Sequence, residues 1–145
     1  MPNRFHLAIP AGDLDSAIRF YCDILGCRRG KAEFKYPDAW ADINFWGNEL
    51  TLHATDPNKK NKRERHNVDM GNVSVPHFGV HLEAETFKEL KERLIRKKIK
   101  FIDPPYIRFK GEPKEQETMF IEDPNGNCME IKTMKNPSTL FENKI

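Results

Sequence analysis

Val75-Pro76-His77-Phe78-Gly79-Val80-His81-Leu82 restates, halfway along the chain, the opening run Arg4-Phe5-His6-Leu7-Ala8-Ile9-Pro10. In each run a histidine follows a bulky or ring residue and leads a short apolar stretch, and an amphipathic helical pattern comes within a few residues. The chain reads as one unit written twice, with His6 and His77 in equivalent places. If the copies pack about a pseudo-twofold axis, those imidazoles reach comparable points on one shared sheet surface, where a single ion can bridge them.

The first copy spans residues 4 to 55. Phe5, Leu7 and Ile9 alternate with His6 and Ala8, so a strand here turns its large apolar residues one way and the histidine the other. Asp13 is placed to cap the next element, in which Leu14, Ala17, Ile18, Tyr21, Ile24 and Leu25 recur at helical spacing up to Gly26. Strands are predicted over Cys27 to Phe34, Ala39 to Trp46 and Glu49 to Ala54, the last two joined by a Gly47-Asn48 turn. Thr55 to Gly71 is polar, with Lys59, Lys60, Lys62, Arg63, Glu64 and Arg65 in near succession and no apolar period to bury. It reads as an exposed linker, in which His66 faces solvent.

The second copy, residues 75 to 134, repeats the order. Phe87, Leu90 and Leu94 mark a helix from about Glu85 to Lys98. Lys100 to Ile102 starts a strand that Pro104-Pro105 interrupts and Tyr106 to Phe109 resumes. Glu117 to Glu122 and Cys128 to Thr133 flank the tight Asp123-Pro124-Asn125-Gly126 turn. The histidines are 71 positions apart and the closing glycines, Gly47 and Gly126, 79 apart. The second copy therefore carries eight extra residues, expected mostly in Tyr106 to Gln116.

The whole chain of 145 residues reads as a single domain, modules about 4–55 and 75–134 with a polar linker 56–74. A chain of this size buries roughly two thirds of its unfolded surface and needs no disulfide to hold it. No apolar run approaches the ~18 residues of a membrane span, and the start of the chain shows no export signal. Cys22, Cys27 and Cys128 form no CxxC and suit a reducing compartment, so the expected location is cytoplasmic. A net charge of +2, mixed with acid along the chain, argues against nucleic acid and for a small-molecule partner.

Aligning the copies on their Gly-Asn turns sets Thr51 against Glu130 and His53 against Lys132. His6, His77 and Glu130 then come from three separate strands, and two imidazoles with one carboxylate compose a facial triad. Such a triad leaves about three positions of an octahedral ion open and suits iron(II). His53, two residues beyond Thr51 on the same strand face, is either a fourth ligand or a proton donor and acceptor. Taken singly, each of these residues reads as an ordinary strand histidine or surface acid. The repeat equivalence of the histidines, together with a glutamate in phase, favours the ligand reading. His81 shares a face with His77 and competes with it, but only His77 matches His6.

Together, Phe5-His6-Leu7-Ala8-Ile9-Pro10, Asp13-Leu14-Asp15 leading to Tyr21 and Leu25-Gly26, Pro76-His77-Phe78-Gly79-Val80, and Asp123-Pro124-Asn125-Gly126-Asn127 before Met129-Glu130-Ile131 resemble the vicinal oxygen chelate superfamily. That superfamily includes glyoxalase I, bleomycin-resistance proteins, fosfomycin-resistance enzymes and extradiol dioxygenases. The resemblance implies an α+β fold of two paired βαβββ modules, a cupped, partly open mixed sheet with helices outside, and usually a homodimer. It also implies one divalent ion on His6, His77 and Glu130, with Fe(II) expected and Zn, Mn or Ni as alternatives. In the glyoxalase branch a fourth ligand would stand at 49, 51 or 53. Glu49 fits by local sequence, Thr51 by register and His53 by chemistry. The expected activity is that of an extradiol-dioxygenase-like oxidoreductase, with His53 shuttling a proton and Arg108 either holding a substrate carboxylate or phenolate or standing as a surface residue. A glyoxalase-like isomerase or lyase, a fosfomycin-resistance-like transferase and a bleomycin-resistance-like binding protein without catalysis are the alternatives.

Overall fold

The computed structural model describes residues 3–68 and 71–143. It divides into two compact units. One runs to Lys62 and takes in Glu122–Asn127; the other comprises Arg63–Ile121 and the chain from Cys128 onward.

The first unit is built as β1 (His6–Gly12), α1 (Leu14–Arg19), β2 (Arg28–Glu33), β3 (Trp40–Phe45) and β4 (Asn48–Ala54). Its sheet has the order β1-β4-β3-β2, with β1 parallel to β4 and the other pairs antiparallel. Asp13 caps α1 as expected, its carboxylate accepting from the Ser16 N–H at 3.0 Å. From Phe20 to Ile24 the helix widens into a π-helical turn before ending at Gly26, whose φ is +80°. Leu14, Ala17, Tyr21, Ala41, Ile43, Leu50 and Leu52 are fully or almost fully buried, which is the apolar period of the helix meeting one face of the sheet. The turn segment Glu122–Asn127 is tied to this unit. The side-chain amides of Asn125 and Asn127 both donate to the Pro10 carbonyl at 2.8 Å, and the buried Tyr21 hydroxyl donates to Asp123 Oδ2 at 2.8 Å.

The second unit repeats the plan with β7 (Phe78–His81), α2 (Ala84–Arg96), β8 (Asp103–Arg108), β9 (Gln116–Glu122) and β10 (Cys128–Met134), in the order β7-β10-β9-β8. β7 is parallel to β10 and β8 antiparallel to β9. Phe87, Leu90 and Leu94 of α2 are buried, and α2 packs against β10. The fold is thus α+β, two βαβββ modules with open, mixed sheets.

Register confirms the repeat position by position. Ala8 pairs with Thr51 as Gly79 pairs with Glu130, so the offsets of 71 and 79 read from the sequence are both realised in strand pairing. The bulges also match: β2 slips between Arg29 and Ala32, β8 between Asp103 and Tyr106, an offset of 74. From Ile43 in β3 to Phe120 in β9 the offset is 77. The extra residues therefore enter in steps of three, three and two along the second module. The expectation that most of them lie in Tyr106 to Gln116 is corrected. Pro104 and Pro105 are tolerated because β8 is an edge strand with a bulge at that point.

Two further expectations change. Val75 closes a strand rather than opening one, and His77 sits just before β7, behind a cis Val75–Pro76 bond. The end of the polar stretch is not a linker but a hairpin, β5 (Glu64–Val68) with β6 (Gly71–Val75). Arg65 closes it by donating to Ser74 Oγ at 2.9 Å and to the Asn72 carbonyl at 2.7 Å, and it also pairs with Asp103 at 3.1 Å. Val73 packs with Phe120 and Cys128 in the core of the second unit. Charge density hid the hairpin: one buried valine and one buried serine are too few to make an apolar period.

Candidate metal centre

Alternation along β9 and β10 decides which side chains share a face. Glu117 reaches Lys91 of α2 at 2.8 Å, so Gln116, Thr118 and Phe120 point to the side away from the helix. Glu130 lies with them, since Thr118 Oγ1 donates to Glu130 Oε2 at 2.7 Å. His77 comes to the same place from the turn before β7, its Nε2 3.3 Å from Glu130 Oε1 and its ring edge-on to Phe120 at 5.2 Å between centroids.

The protonation of this pair follows from its neighbours. His77 Nδ1 lies 2.6 Å from the Ser74 carbonyl oxygen, an acceptor only, so Nδ1 carries a hydrogen. A neutral ring then points the bare Nε2 lone pair at a carboxylate oxygen, a repulsive arrangement that calls for a cation between them. In the metal-free protein that cation is a proton. Glu130 and the Ser74 carbonyl hold the His77 pKa above its ordinary value against desolvation. Burial alone would raise the Glu130 pKa, but hydrogen bonds from His77 and Thr118, with Lys132 nearby, bring it down to about 2. A fixed tautomer, an ionised carboxylate and a hydroxyl behind it are features that a histidine and a glutamate share with oriented metal ligands.

In the first unit His6 Nδ1 is 2.6 Å from Glu49 Oε1, both side chains more than half exposed, and the two residues are register partners on β1 and β4. A carboxylate on Nδ1 leaves Nε2 as the donor of a neutral His6, as the Ser74 carbonyl does for His77. Of the three candidates for an additional ligand, Glu49 stands beside His6. Thr51 is buried and donates to Asp42 Oδ1 at 2.7 Å. His53 is exposed on β4 between Pro10 and Trp40, and makes no hydrogen bond or ion pair among the described residues. His81 faces Lys132 across the β7–β10 pairing, and burial followed by that ammonium lowers its pKa. His66 is exposed, as expected, though on the β5 hairpin. Arg108 lies on β8 opposite Gln116, on the Glu130 side of the sheet, with its guanidinium 4.9 Å from the Phe109 ring centre. Among the described residues no three His, Cys, Asp or Glu side chains form a group that could hold a metal; the donors stand as the pairs His77–Glu130 and His6–Glu49.

The sequence reading missed Thr118 and Ser74. Thr118 carried a signal, because a hydroxyl followed by Met119-Phe120-Ile121 in a buried strand must find a partner. Ser74 acts through its backbone carbonyl, which no side-chain pattern reports.

Two βαβββ repeats of one topology, with an imidazole–carboxylate pair on the sheet face away from the helix, define a vicinal oxygen chelate protein. The chain belongs to the glyoxalase/bleomycin resistance protein/dioxygenase superfamily, whose family model matches residues 4–131. It is similar to the crystal structure of a glyoxalase/bleomycin resistance protein/dioxygenase from Alicyclobacillus acidocaldarius, at 31% identity, with 96% of each chain covered and a TM-score of 0.74. Its fold is also that of the fosfomycin resistance protein FosX from Listeria monocytogenes, at 14% identity, covering 97% of this chain and 99% of that one with a TM-score of 0.66. A glyoxylase/bleomycin resistance protein/dioxygenase domain from Frankia sp. EAN1pec matches at 18% identity, 93% of each chain and a TM-score of 0.66. No curated protein matches the chain. Proteins of the superfamily generally bind a divalent metal and small-molecule substrates, and commonly form dimers. No helix among the described residues is long and apolar enough to cross a membrane.

Proposed function

We propose that this chain is a metal-dependent enzyme in which His77 and Glu130, with His6 as the third donor, hold one divalent ion that chelates two adjacent oxygens of a small substrate. The observation that carries it is the His77–Glu130 pair: an Nε2 lone pair freed by the Ser74 carbonyl facing an ionised, hydroxyl-braced carboxylate at 3.3 Å. With iron(II), two histidines and one carboxylate suit extradiol cleavage of a catechol, the ion supplying charge stabilisation and open positions for substrate and oxygen. Arg108 would hold an anionic oxygen of the substrate, and the exposed His53 would move a proton. A cytoplasmic homodimer is the proposed working state, in keeping with three free cysteines.

Glu49 supports a second reading. It is the carboxylate among positions 49, 51 and 53, where the glyoxalase branch would hold a fourth ligand, and it is already 2.6 Å from His6; as a ligand it would favour isomerisation or nucleophile addition of glyoxalase or fosfomycin-resistance type.

Elemental analysis and calorimetric titration test the ion: about one per chain, with affinity lost in Glu130→Ala while the fold survives, is the expected result. Undiminished affinity in the variant, or none in the parent, overturns it. Catechols with iron(II) under air, against methylglyoxal with glutathione, test the reaction. Turnover of the second pair alone replaces the dioxygenase with the glyoxalase reading. Silence from both, with tight small-molecule binding, leaves a binding protein.

A further inference from the structure

On the sheet face that carries Glu130, Lys132 is, among the described residues, a cation close to that carboxylate but outside hydrogen-bond range of it. Lys132 follows Glu130 by two residues on β10 and so projects to the same side. Its ammonium is 3.8 Å from Glu130 Oε1, and the side chain is 23% exposed. That distance is beyond hydrogen-bond range, about 2.7–3.2 Å for N–H donors, and the carboxylate is already supplied by Thr118 and His77. Across the strand pair stands His81, whose pKa is depressed by burial and by Lys132 itself. Among the described residues the ammonium therefore makes no hydrogen bond, in a half-buried place where a charge counts for more than at the open surface.

We propose that Lys132 is a substrate-binding residue that takes the anionic oxygen of a ligand whose neighbouring oxygen is bound by the ion on His77 and Glu130. This rests on the metal reading above and narrows it. A divalent ion and an ammonium against the single charge of Glu130 leave this part of the site net positive, so it selects an anionic chelator, a vicinal pair of oxygens with at least one ionised, over a neutral diol or ketone. The repeat gives the same position two chemistries. Lys132 is the counterpart of His53 under the 79-residue offset that also relates Glu130 to Thr51. The first module places an imidazole there and the second an ammonium, a compact cation with three donors.

The test uses zinc-loaded protein and 4-nitrocatechol, a bidentate anion whose absorbance changes on binding, beside zinc titrations of the metal-free forms. Lys132→Met and Lys132→Gln should weaken 4-nitrocatechol binding about tenfold or more, as expected for loss of one charge-assisted hydrogen bond. Lys132→Arg should restore most of it. Zinc affinity should stay level or tighten, because a neighbouring positive charge has gone. A residue that merely braced Glu130 would lose zinc instead. Unchanged 4-nitrocatechol affinity in both neutral variants, or zinc affinity falling with it, overturns the inference while leaving the metal reading standing. A parent that takes up no zinc overturns both.

Discussion

Gly79 lies directly across from Glu130 in the β7–β10 pairing, and a Cβ added to it would fall 1.6 Å from the Glu130 carbonyl oxygen. The equivalent place in the first module is Ala8, across from Thr51, where a methyl group is accommodated. Backbone contact of this closeness in the second module fixes where the Glu130 side chain begins. Gly79→Ala should therefore cost at least the roughly 1–3 kcal/mol of an overpacked site, with metal affinity falling in parallel. Chemical denaturation and zinc titration of the variant measure both; a stability within 0.5 kcal/mol of the parent, roughly the scatter of surface changes, contradicts the close approach.

Thr118→Val removes the hydroxyl that donates to Glu130 Oε2 while keeping the shape. The loss of a bond to a charged, buried acceptor should cost about 1.5–3 kcal/mol. Loss of a group that orients a metal-binding carboxylate weakens metal binding about 10- to 100-fold. Unfolding curves and calorimetry read the two effects separately, and a zinc affinity equal to that of the parent would show that the hydroxyl does not orient the carboxylate.

The proton between His77 and Glu130 makes the metal-free domain sensitive to pH from both sides. Glu130 has its folded pKa depressed from 4.5 to about 2, so its contribution to stability is complete above the unfolded value and disappears as pH falls toward about 2. His77 is raised above 6.5, so its contribution is complete below that value and disappears as pH rises through the folded one. The pair thus stabilises most at about pH 5–6. Thermal melts of metal-free protein should show this contribution as a difference from Glu130→Gln that shrinks toward pH 3 and toward pH 8. Zinc competes with the His77 proton, so its gain in Tm should be larger at pH 8 than at pH 5.5.

Tyr21→Phe tests the tie between the Asp123 turn and the first module. The hydroxyl is buried and donates to Asp123 at 2.8 Å, in a carboxylate whose pKa burial pushes up. Removing a donor from it should cost about 1.5–3 kcal/mol. Urea denaturation that finds no loss would mean that Asn127 and the turn amides suffice to hold the carboxylate.

How far this protein could be read from its chain depends on the range of the interaction concerned. The apolar periods of Leu14 to Leu25 and Phe87 to Leu94 are local, and both helices stand where those periods put them. The repeat was legible too, because two turns with glycine and asparagine and two strands led by histidine bracket each copy. The equivalence of Thr51 with Glu130 followed from counting, and the pairings of Ala8 with Thr51 and of Gly79 with Glu130 agree with it.

Pairing and protonation were decided only by the tertiary structure. Arg65 closes a run of charged residues into a hairpin through Ser74 and Asn72 and also reaches Asp103, 38 positions away, and no local period announces that. The hairpin in turn delivers the Ser74 carbonyl to His77 Nδ1. A backbone oxygen sets the tautomer, and nothing in the side-chain sequence encodes where that oxygen points. In the same way, choosing Glu49 over Thr51 and His53 as the neighbour of His6 required the side-chain distance, since all three lie on one face of β4. Residue types named the chemistry available to this chain. Which lone pair faces which proton is a matter of ångströms, set by the path of the backbone through the turn at Ser74 to His77 and by the packing of β10 beside it.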